Sequence, residues 1–343
     1  MNHIAKLHTK IIKDISTWES FLDTQEFQIF VQSPSYGEFN QKLGDQSFIL
    51  GLYEDTKLVG GSLVIKVHAR RGDFYYLPYG PILNYQETSH LKKFTEDLKA
   101  MAKKDKLAFI RISPFIDETK DNKSKLTKQG YKRAPMHMIA ETTWMLNLDK
   151  PADQLMKEMR QNHRNLIRRS KRDGVKVETS TNIKDLNILH DLLQQTAKRH
   201  NFNPFSLKYL QEEFQAFNKH GQVNIYKAYH EGDLLAVSVM YFYKNSAIYR
   251  HGASNMLKPK VPASYAIQWQ AIQDAKQKGC NYYNFWGIAP ETAKKHPFKG
   301  ITRFKKGFGG FQKDIMPAYD LPISPKYIIN FLIETIRRIK RGF

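Results

Sequence analysis

Cysteine is almost absent from this chain of 343 residues: Cys280 is the only one, so no disulfide can form within the chain. No apolar run approaches the roughly 20 residues needed to cross a bilayer. The first residues, Met-Asn-His-Ile-Ala-Lys, contain no apolar signal-peptide core. We therefore expect a cytoplasmic protein, in which any contact with a membrane is peripheral.

Several motifs of familiar chemistry are missing as well. The sequence has no Walker glycine-lysine loop, no G-x-G-x-x-G, no G-x-S-x-G, no H-E-x-x-H and no zinc-ligand spacing, so neither a nucleophile elbow nor a metal site is expected. Acidic residues are scarce, because 33 Asp and Glu stand against 54 Lys and Arg and give a formal charge of +21. Such a charge attracts polyanions and anionic membranes alike, or simply keeps a basic surface soluble.

The two halves of the chain repeat one order of predicted elements. A length of 343 residues predicts two domains of roughly 150 residues each. Both halves show three strands, a helix and a strand, at residues 54–61, 62–67, 75–81, 89–103 and 107–112 and at residues 231–236, 237–242, 247–252, 265–278 and 282–287. Aligning Leu58 with Leu234, Tyr75 with Tyr249 and Phe109 with Tyr283 gives shifts of 176, 174 and 174 residues. The nearly constant shift predicts a tandem duplication of one α/β unit.

The border between the two domains is predicted near residue 150. Pro151 and Asp153 are typical of a helix start, so we assign residues 1–150 to the first domain and residues 151–317 to the second. Residues 318–343 are predicted to complete the first domain. They contain a helix with an apolar stripe and a basic end; the stripe comprises Ile329, Leu332, Ile333, Ile336 and Phe343, and the basic residues are Arg337, Arg338, Lys340 and Arg341. The stripe is expected to dock on the first domain, to lie on an anionic membrane surface, or both at once if the basic residues point outward.

Residues 157–176 carry a second basic pattern. Arg160, Arg164 and Arg168 recur every four residues and predict a cationic stripe along one helix face, which Arg169 and Arg172 extend. Such a stripe could follow the phosphates of an RNA, with His163 adding a stacking or hydrogen-bonding contact. It could equally be an ordinary solvated face, although no acidic partners are interleaved for i,i+4 pairing.

Two further segments are candidates for an anionic-ligand site. Residues 303–310 read Arg-Phe-Lys-Lys-Gly-Phe-Gly-Gly, and the glycines favour an extended or turn-like loop whose backbone can approach an anion closely. Residues 281–288 look like a buried strand that ends at Gly287, and ligands of α/β proteins bind near such strand ends. A surface hairpin and a plain core strand explain the same two segments.

Taken together, short motifs along nearly the whole chain resemble the FemABX aminoacyltransferases, which build the peptide bridges of peptidoglycan. The motifs are Gln32-Ser33 before Tyr36, Asp173-Gly174-Val175, Lys198-Arg199-His200, Tyr209, Gln268-Trp269, residues 283–288, and Arg303-Phe304-Lys305 followed by Phe308-Gly309. The resemblance implies two tandem acetyltransferase-like (GNAT) domains, each with a mixed sheet flanked by helices, in a compact form without the coiled-coil arm of longer relatives. It also implies an enzyme that needs no metal or cofactor. Nothing in the sequence requires more than a monomer.

The reaction implied by the resemblance moves an amino acid from aminoacyl-tRNA to the stem-peptide amine of a peptidoglycan precursor, either lipid II or UDP-MurNAc-pentapeptide. Lys305, with Phe304 beside it, corresponds to the family position where the aminoacyl ester reacts, and a fixed cation there would stabilise the developing oxyanion. The arginines of the basic helix would then bind tRNA. The expected substrate-binding residues are Lys42, Tyr209, Tyr249, His251, Asn284, Trp286, Arg303 and Lys306.

The chain departs from the family pattern at two phosphate-binding positions. Asn40 stands at a lysine position, with Lys42 two residues on, and Phe205 stands at an arginine position. This favours a lipid-linked precursor at the inner face of the membrane over a UDP-linked one. Two other functions stay open: an acyl-CoA-dependent N-acyltransferase, whose usual R/Q-x-x-G-x-G/A loop is not found in either half, and an RNA-binding protein without enzyme activity.

Overall fold

The computed structural model describes residues 6–200, 203–291 and 298–341, and these residues form two compact units. One unit comprises residues 1–141 and 314–343, and the other comprises residues 142–313. Within the described residues each unit contains one seven-stranded sheet. Both sheets mix parallel and antiparallel pairs and carry helices, as the sequence predicts.

The described part of the first unit before residue 142 contains six strands and four α-helices. They are β1 (Leu7–Ile12), α1 (Ile15–Asp23), α2 (Pro34–Lys42), β2 (Gln46–Glu54), β3 (Lys57–Val67), β4 (Phe74–Leu77), α3 (Thr88–Lys104), β5 (Phe109–Ile112), α4 (Lys120–Lys128) and β6 (Lys132–Arg133). The sheet order is β1-β2-β3-β4-β5, then a strand from the last part of the chain, then β6. Leu91, Phe94 and Leu98 recur on one face of α3 and pack into the core with residues of β2, β3 and β5.

The second unit repeats this arrangement. Its elements are β7 (Thr142–Asn147), α5 (Ala152–Glu158), α6 (Gln161–Arg172), β8 (Lys176–Ser180), α7 (Asp185–His200), α8 (Leu207–Asn218), β9 (Val223–His230), β10 (Asp233–Tyr243), β11 (Ser246–Ser254), α9 (Ala263–Gln277), β12 (Tyr282–Gly287), α10 (Lys299–Lys306) and β13 (Phe311–Asp314). The chain then returns to the first unit with β14 (Tyr319–Pro322) and α11 (Lys326–Arg341). Residues 342–343, which include the predicted stripe residue Phe343, lie outside the described residues.

The predicted duplication is confirmed by the strand order. The first sheet runs β1-β2-β3-β4-β5-β14-β6, and the second runs β8-β9-β10-β11-β12-β7-β13. In each sheet one parallel pair, β4 with β5 or β11 with β12, is joined through a helix, α3 or α9. The residue pairs aligned in the sequence fall in corresponding strands of the two sheets.

The border between the units lies before residue 150 because β7 pairs with β12 through Tyr282–Asn147 and Tyr283–Leu146. Pro151 does begin a helix, α5, but the strand that precedes it already belongs to the second sheet. In the first sheet the corresponding place is taken by β14, which pairs antiparallel with β5. The sequence reveals the helix start at Pro151 but not the strand pairing that fixes the border.

Candidate functional site

The C-terminal end of β12 has an unusual backbone. Trp286 has a φ of +66°, in the left-handed region that a side chain other than glycine rarely adopts. Asn284 supports this conformation, because its Oδ1 accepts hydrogen bonds from the Trp286 amide, at 2.7 Å, and from the Thr143 hydroxyl. The register of β12 against β7 shifts between Asn284 and Gly287. Asn284, predicted to bind substrate, is thus placed where it shapes the strand end.

Residues 303–306 are helical, so the predicted extended loop is wrong. They form the last part of α10, and Gly307 follows as its C-cap. Gly307 ends this helix, and Gly309 and Gly310, with φ values of +82° and +92°, lie in the connection between α10 and β13. The helical spacing turns Lys305 inward, whereas Arg303 lies exposed.

Lys305 is buried at the end of β12. Its side chain is 7% exposed, and its Nζ donates a hydrogen bond of 2.7 Å to the carbonyl oxygen of Gly287. The same Nζ lies 5.7 Å from the ring centroid of Tyr249 on β11. Burial lowers the pKa of Lys305 to about 7, because an ammonium group loses its hydration there. Burial also raises the pKa of Tyr249 to about 12, which keeps its hydroxyl neutral.

Phe304 belongs to an aromatic cluster under α10. Its ring packs edge-on against Tyr265, at 5.0 Å between centroids, and against Phe308, at 5.1 Å. His163 completes the cluster, with its Nε2 2.9 Å from the Phe304 carbonyl oxygen. Burial lowers the pKa of His163, so the neutral ring that donates from Nε2 fits this contact. His163 is 4% exposed, and the prediction that it contacts RNA is therefore wrong.

A buried ion cluster lies on α8 and β11. Glu213 is fully buried and accepts a hydrogen bond of 3.0 Å from Arg250, while its other oxygen lies 2.7 Å from His251 Nε2. Both partners hold the pKa of the Glu213 carboxyl below its usual range against the effect of burial. Arg250 also donates to the Tyr209 hydroxyl at 3.0 Å. The structure thus joins Tyr209 and His251, two predicted site residues, through one carboxylate.

Aromatic rings flank the Arg250 guanidinium. It lies 5.0 Å from the ring centroid of Trp286 and 6.0 Å from that of Phe205, and Phe205 stacks on Tyr209 at 4.4 Å. Trp286 and Arg250 thus connect the ion cluster to the end of β12. The sequence reasoning missed Glu213 and Arg250. The signal for Glu213 was available, since Leu210, Glu213, Phe214 and Phe217 share the buried face of α8.

A small cationic pocket opens beside α10. Its volume is about 260 Å³, and it is lined by Arg160, Ala289, Pro290, Glu291, Lys299, Thr302, Arg303 and Lys306. Lys306 donates to Glu291 at 2.8 Å and to Gln312 at 3.0 Å. Four cationic side chains against one carboxylate give the pocket a net positive charge that suits an anionic group. The structure therefore brings Arg160 together with Arg303 and Lys306.

The basic helix is shorter than the sequence predicts. It divides at Met159 and Arg160 into α5 and α6, and the backbone amide of Arg160 donates to the Gly307 carbonyl oxygen at 2.9 Å. Arg164 is not a free cation of the stripe, because it donates to the backbone carbonyls of Lys157, at 2.9 Å, and Met159. The exposed arginines are Arg160, Arg168 and Arg172.

Two of the five predicted tRNA-binding arginines contact an acidic partner that the sequence reasoning passed over. Arg169 pairs with Asp173 at i,i+4 spacing, with 2.9 Å between Nε and Oδ2, and Arg172 Nε lies 3.6 Å from the other oxygen of Asp173. Lys42 lies exposed at the end of α2 in the first unit. The side chains of Arg199 and His200, which contribute to a motif named above, lie outside the described residues.

In the ranges 6–200, 203–291 and 298–341, no group of three or more His, Cys, Asp or Glu side chains could hold a metal ion. In the same part of the chain, no helix is both long and apolar enough to span a bilayer.

Comparison with known proteins identifies similar chains. The model of the FemAB family matches residues 14–231 and 221–335. The aminoacyltransferase FemA of Staphylococcus aureus is 21% identical over 414 aligned positions, which cover 92% of this chain and 98% of FemA. FemA of Staphylococcus epidermidis is 22% identical, with 94% and 98% covered.

Solved structures share the fold. The crystal structure of FemX superposes with a TM-score of 0.84 at 16% identity and covers 95% of this chain and 100% of that chain. A tandem GNAT protein from the clavulanic acid biosynthesis pathway has a TM-score of 0.58 at 10% identity, with 93% and 99% covered. The predicted tandem GNAT-like architecture is confirmed.

Proposed function

The chain belongs to the FemAB family, and from this premise we propose that it is an aminoacyltransferase that extends the stem peptide of a peptidoglycan precursor. The donor is an aminoacyl-tRNA, and the acceptor is lipid II or UDP-MurNAc-pentapeptide. The observation that carries the proposal is Lys305, a desolvated lysine held at the end of β12 by the Gly287 carbonyl. We place the protein in the cytoplasm, as a monomer, in contact with the inner face of the membrane.

In the proposed reaction the stem-peptide amine attacks the carbonyl carbon of the aminoacyl ester. The carbonyl oxygen becomes an oxyanion, the ester C–O bond then breaks, and the terminal ribose oxygen of the tRNA leaves. The amine loses one proton and the ribose oxygen gains one, so protons balance without a cofactor. The protonated Lys305 donates a hydrogen bond to the oxyanion, an interaction that is strongest in a site with little water. Phe304 on the same helix supports the position of Lys305 through its packing against Tyr265 and Phe308.

The other residues of the second unit would bind the two polyanionic substrates. Arg303, Lys306 and Arg160 line the cationic pocket beside α10, which fits a phosphate of the tRNA acceptor end. Arg168 and Arg172 would continue this surface along α6, with Arg169 beside them. Tyr209, Tyr249, His251, Asn284 and Trp286 would bind the acceptor, and we keep Lys42 of the first unit as a proposed substrate-binding residue. A net charge of +21 suits both substrates.

The test is aminoacyl transfer by the purified protein. Radiolabelled glycyl-, alanyl- and seryl-tRNA are supplied with lipid II or with UDP-MurNAc-pentapeptide, and the label is followed into the precursor. Transfer should depend on Lys305: the Lys305→Ala variant should lose roughly 100-fold or more in kcat while its tRNA affinity changes little. Lys128→Ala, an exposed lysine of α4, is the matched control.

Three outcomes would count against this assignment. Equal losses of turnover and tRNA affinity in Lys305→Ala would remove the catalytic role of Lys305. Binding of tRNA without transfer to either acceptor would favour an RNA-binding protein. Tight acetyl-CoA binding by calorimetry, with acetyl transfer, would favour the acyl-CoA-dependent N-acyltransferase.

A further inference from the structure

Helix α11 docks on the first unit through its polar side chains. Tyr327 is buried, and its hydroxyl donates to Asp320 of β14 at 3.2 Å. Asn330 is also buried, and its side-chain amide donates to the Arg71 carbonyl oxygen at 3.2 Å. One turn further on, Glu334 pairs with Arg111 at 2.7 Å. The face of α11 that meets the protein is thus defined by a tyrosine, an asparagine and a glutamate.

The ion cluster under α11 fixes this orientation. Arg111 is 2% exposed and donates two hydrogen bonds to Asp320, at 2.7 and 2.8 Å, and two to Glu334, at 2.7 and 3.3 Å. Two carboxylates thus use the donors of one buried guanidinium. Rotating α11 about its axis would remove Glu334 from Arg111, and breaking a buried ion pair is strongly unfavourable. The helix therefore cannot turn its apolar side toward the sheet.

The opposite face of α11 is apolar and exposed. We call it the outer stripe: Ile328, Ile329, Leu332, Ile336 and Ile339, which are 52 to 71% exposed. At about 100° per residue, the centre of the outer stripe lies about 180° from the centre of the docked face. A surface helix normally buries its apolar face. Here the arrangement is inverted. The prediction that the stripe docks on the first domain is wrong for Ile329, Leu332 and Ile336, because the buried ion cluster occupies the docked side; Ile333 is half-buried.

The charges next to the outer stripe indicate what covers it. Arg337, Arg338 and Lys340 are exposed around the last turns of α11. Glu334, the only acidic residue in the sequence from Lys326 to Arg341, points toward Arg111. An apolar stripe flanked by cations is the pattern of helices that lie in the plane of an anionic membrane surface. We propose that α11 binds anionic phospholipid bilayers in this way, with the outer stripe among the acyl chains and Arg337, Arg338 and Lys340 at the headgroups.

A second copy of this chain fits the outer stripe less well. Pairing two α11 helices would bring Arg337, Arg338 and Lys340 of each copy together, and like charges at an interface are unfavourable. The net charge of +21 adds a general repulsion between copies. An anionic bilayer instead covers the outer stripe with acyl chains and compensates the charges of Arg337, Arg338 and Lys340 with its headgroups.

The test is sedimentation of the full-length protein with vesicles at about 0.15 M salt. Vesicles of phosphatidylcholine with phosphatidylglycerol should bind the protein, and vesicles of phosphatidylcholine alone should bind it much more weakly. The double variant Leu332→Ser with Ile336→Ser should lower the partition constant roughly tenfold or more, because each side chain inserts apolar area. The matched control is Met256→Ser with Leu257→Ser, which changes two residues of the second unit that are 61 and 68% exposed.

A charge variant and a size measurement complete the design. Arg337→Gln with Arg338→Gln should weaken binding to the anionic vesicles and leave the weak binding to neutral vesicles unchanged. Equal binding by the wild type and both α11 variants would overturn the proposal, as would a dimer in light scattering that the Leu332→Ser, Ile336→Ser variant dissociates. Circular dichroism checks that each variant is folded. No tRNA or precursor is present, so failure here is distinct from failure of the proposed transferase activity.

Discussion

Lys305 Nζ and the carbonyl oxygen of Gly287 lie 2.7 Å apart, and this hydrogen bond ties α10 to the end of β12. Gly287 follows Trp286, whose left-handed backbone is held by Asn284. The position of the Lys305 ammonium therefore depends on the conformation of a strand end and on the burial of a helix. Both features can be tested by stability measurements that need no substrate.

Replacing Lys305 by Met should stabilise the protein at neutral pH. The pKa of Lys305 is about 7 in the folded protein and 10.5 in a free lysine, so the unfolded chain binds more protons between these values. The penalty on folding is complete below pH 7, roughly 3 to 5 kcal/mol, and it disappears as the pH rises to about 10.5. The free energy of unfolding of Lys305→Met minus that of the wild type should fall over this range in urea titrations.

Comparison with the wild type cancels the titration of other groups in the Lys305→Met experiment. A difference that stays constant from pH 6 to pH 10 would show that Lys305 has an ordinary pKa. The same variant should lose transfer activity, which would make Lys305 a residue kept for function at the expense of stability.

Gly307→Ala should destabilise the second unit strongly. A Cβ at Gly307 would overlap the His163 ring, which is held in place by Phe304, Tyr265 and Phe308. Overpacking of this kind costs about 1 to 3 kcal/mol, measured as a shift of the denaturation midpoint. Gly300→Ala is the control, since a Cβ at Gly300 of α10 meets nothing within 4 Å and alanine favours a helix. Equal stabilities of the two variants would contradict the packing described for His163.

Glu213→Gln should cost about 3 to 5 kcal/mol of unfolding free energy, because it leaves Arg250 without its buried counter-charge. It should also weaken the positioning of Arg250 and, through it, of Tyr209, seen as a higher KM for the precursor with a smaller change in kcat. Glu212→Gln, on the preceding and less buried residue, is the matched control. A Glu213→Gln variant as stable as the control would show that the cluster with His251 is not a structural unit.

Arg168→Ala should affect tRNA binding alone, whereas Arg164→Ala should also affect stability. Arg168 is exposed, so its loss should weaken tRNA binding and reduce the slope of log K against log salt by about 0.7 to 0.9. Arg164 donates to the carbonyls of Lys157 and Met159, so its loss should lower the melting temperature as well. Filter binding over a salt series and thermal denaturation measure the two effects, and Lys128→Ala again serves as the control. A salt slope unchanged in Arg168→Ala would remove α6 from the tRNA surface.

The repeated order of strands and helices could be predicted because it depends on the spacing of apolar residues within each segment. Alternating and helical spacing of apolar residues places β3, β4 and α3, and later β10, β11 and α9, close to their observed bounds. The loop predicted at residues 303–306 also rests on a local pattern, the neighbouring glycines, and it is wrong. Glycines at 307, 309 and 310 are a local signal of irregular backbone, but that backbone begins only after Lys306, where α10 ends.

The sequence by itself determined the duplication, the cationic charge and the residues that resemble a family motif, since these depend on order and composition alone. Only the tertiary structure decided which of those residues are buried and which way they face. Lys305 meets Gly287, Glu213 meets His251, and Arg111 meets Glu334 across 18, 38 and 223 positions of the chain. Burial of Lys305 lowers its pKa, and the buried ion pairs of Arg111 turn the apolar stripe of α11 outward. Desolvation and ion pairing act through space rather than along the chain, so the sequence alone does not reveal them.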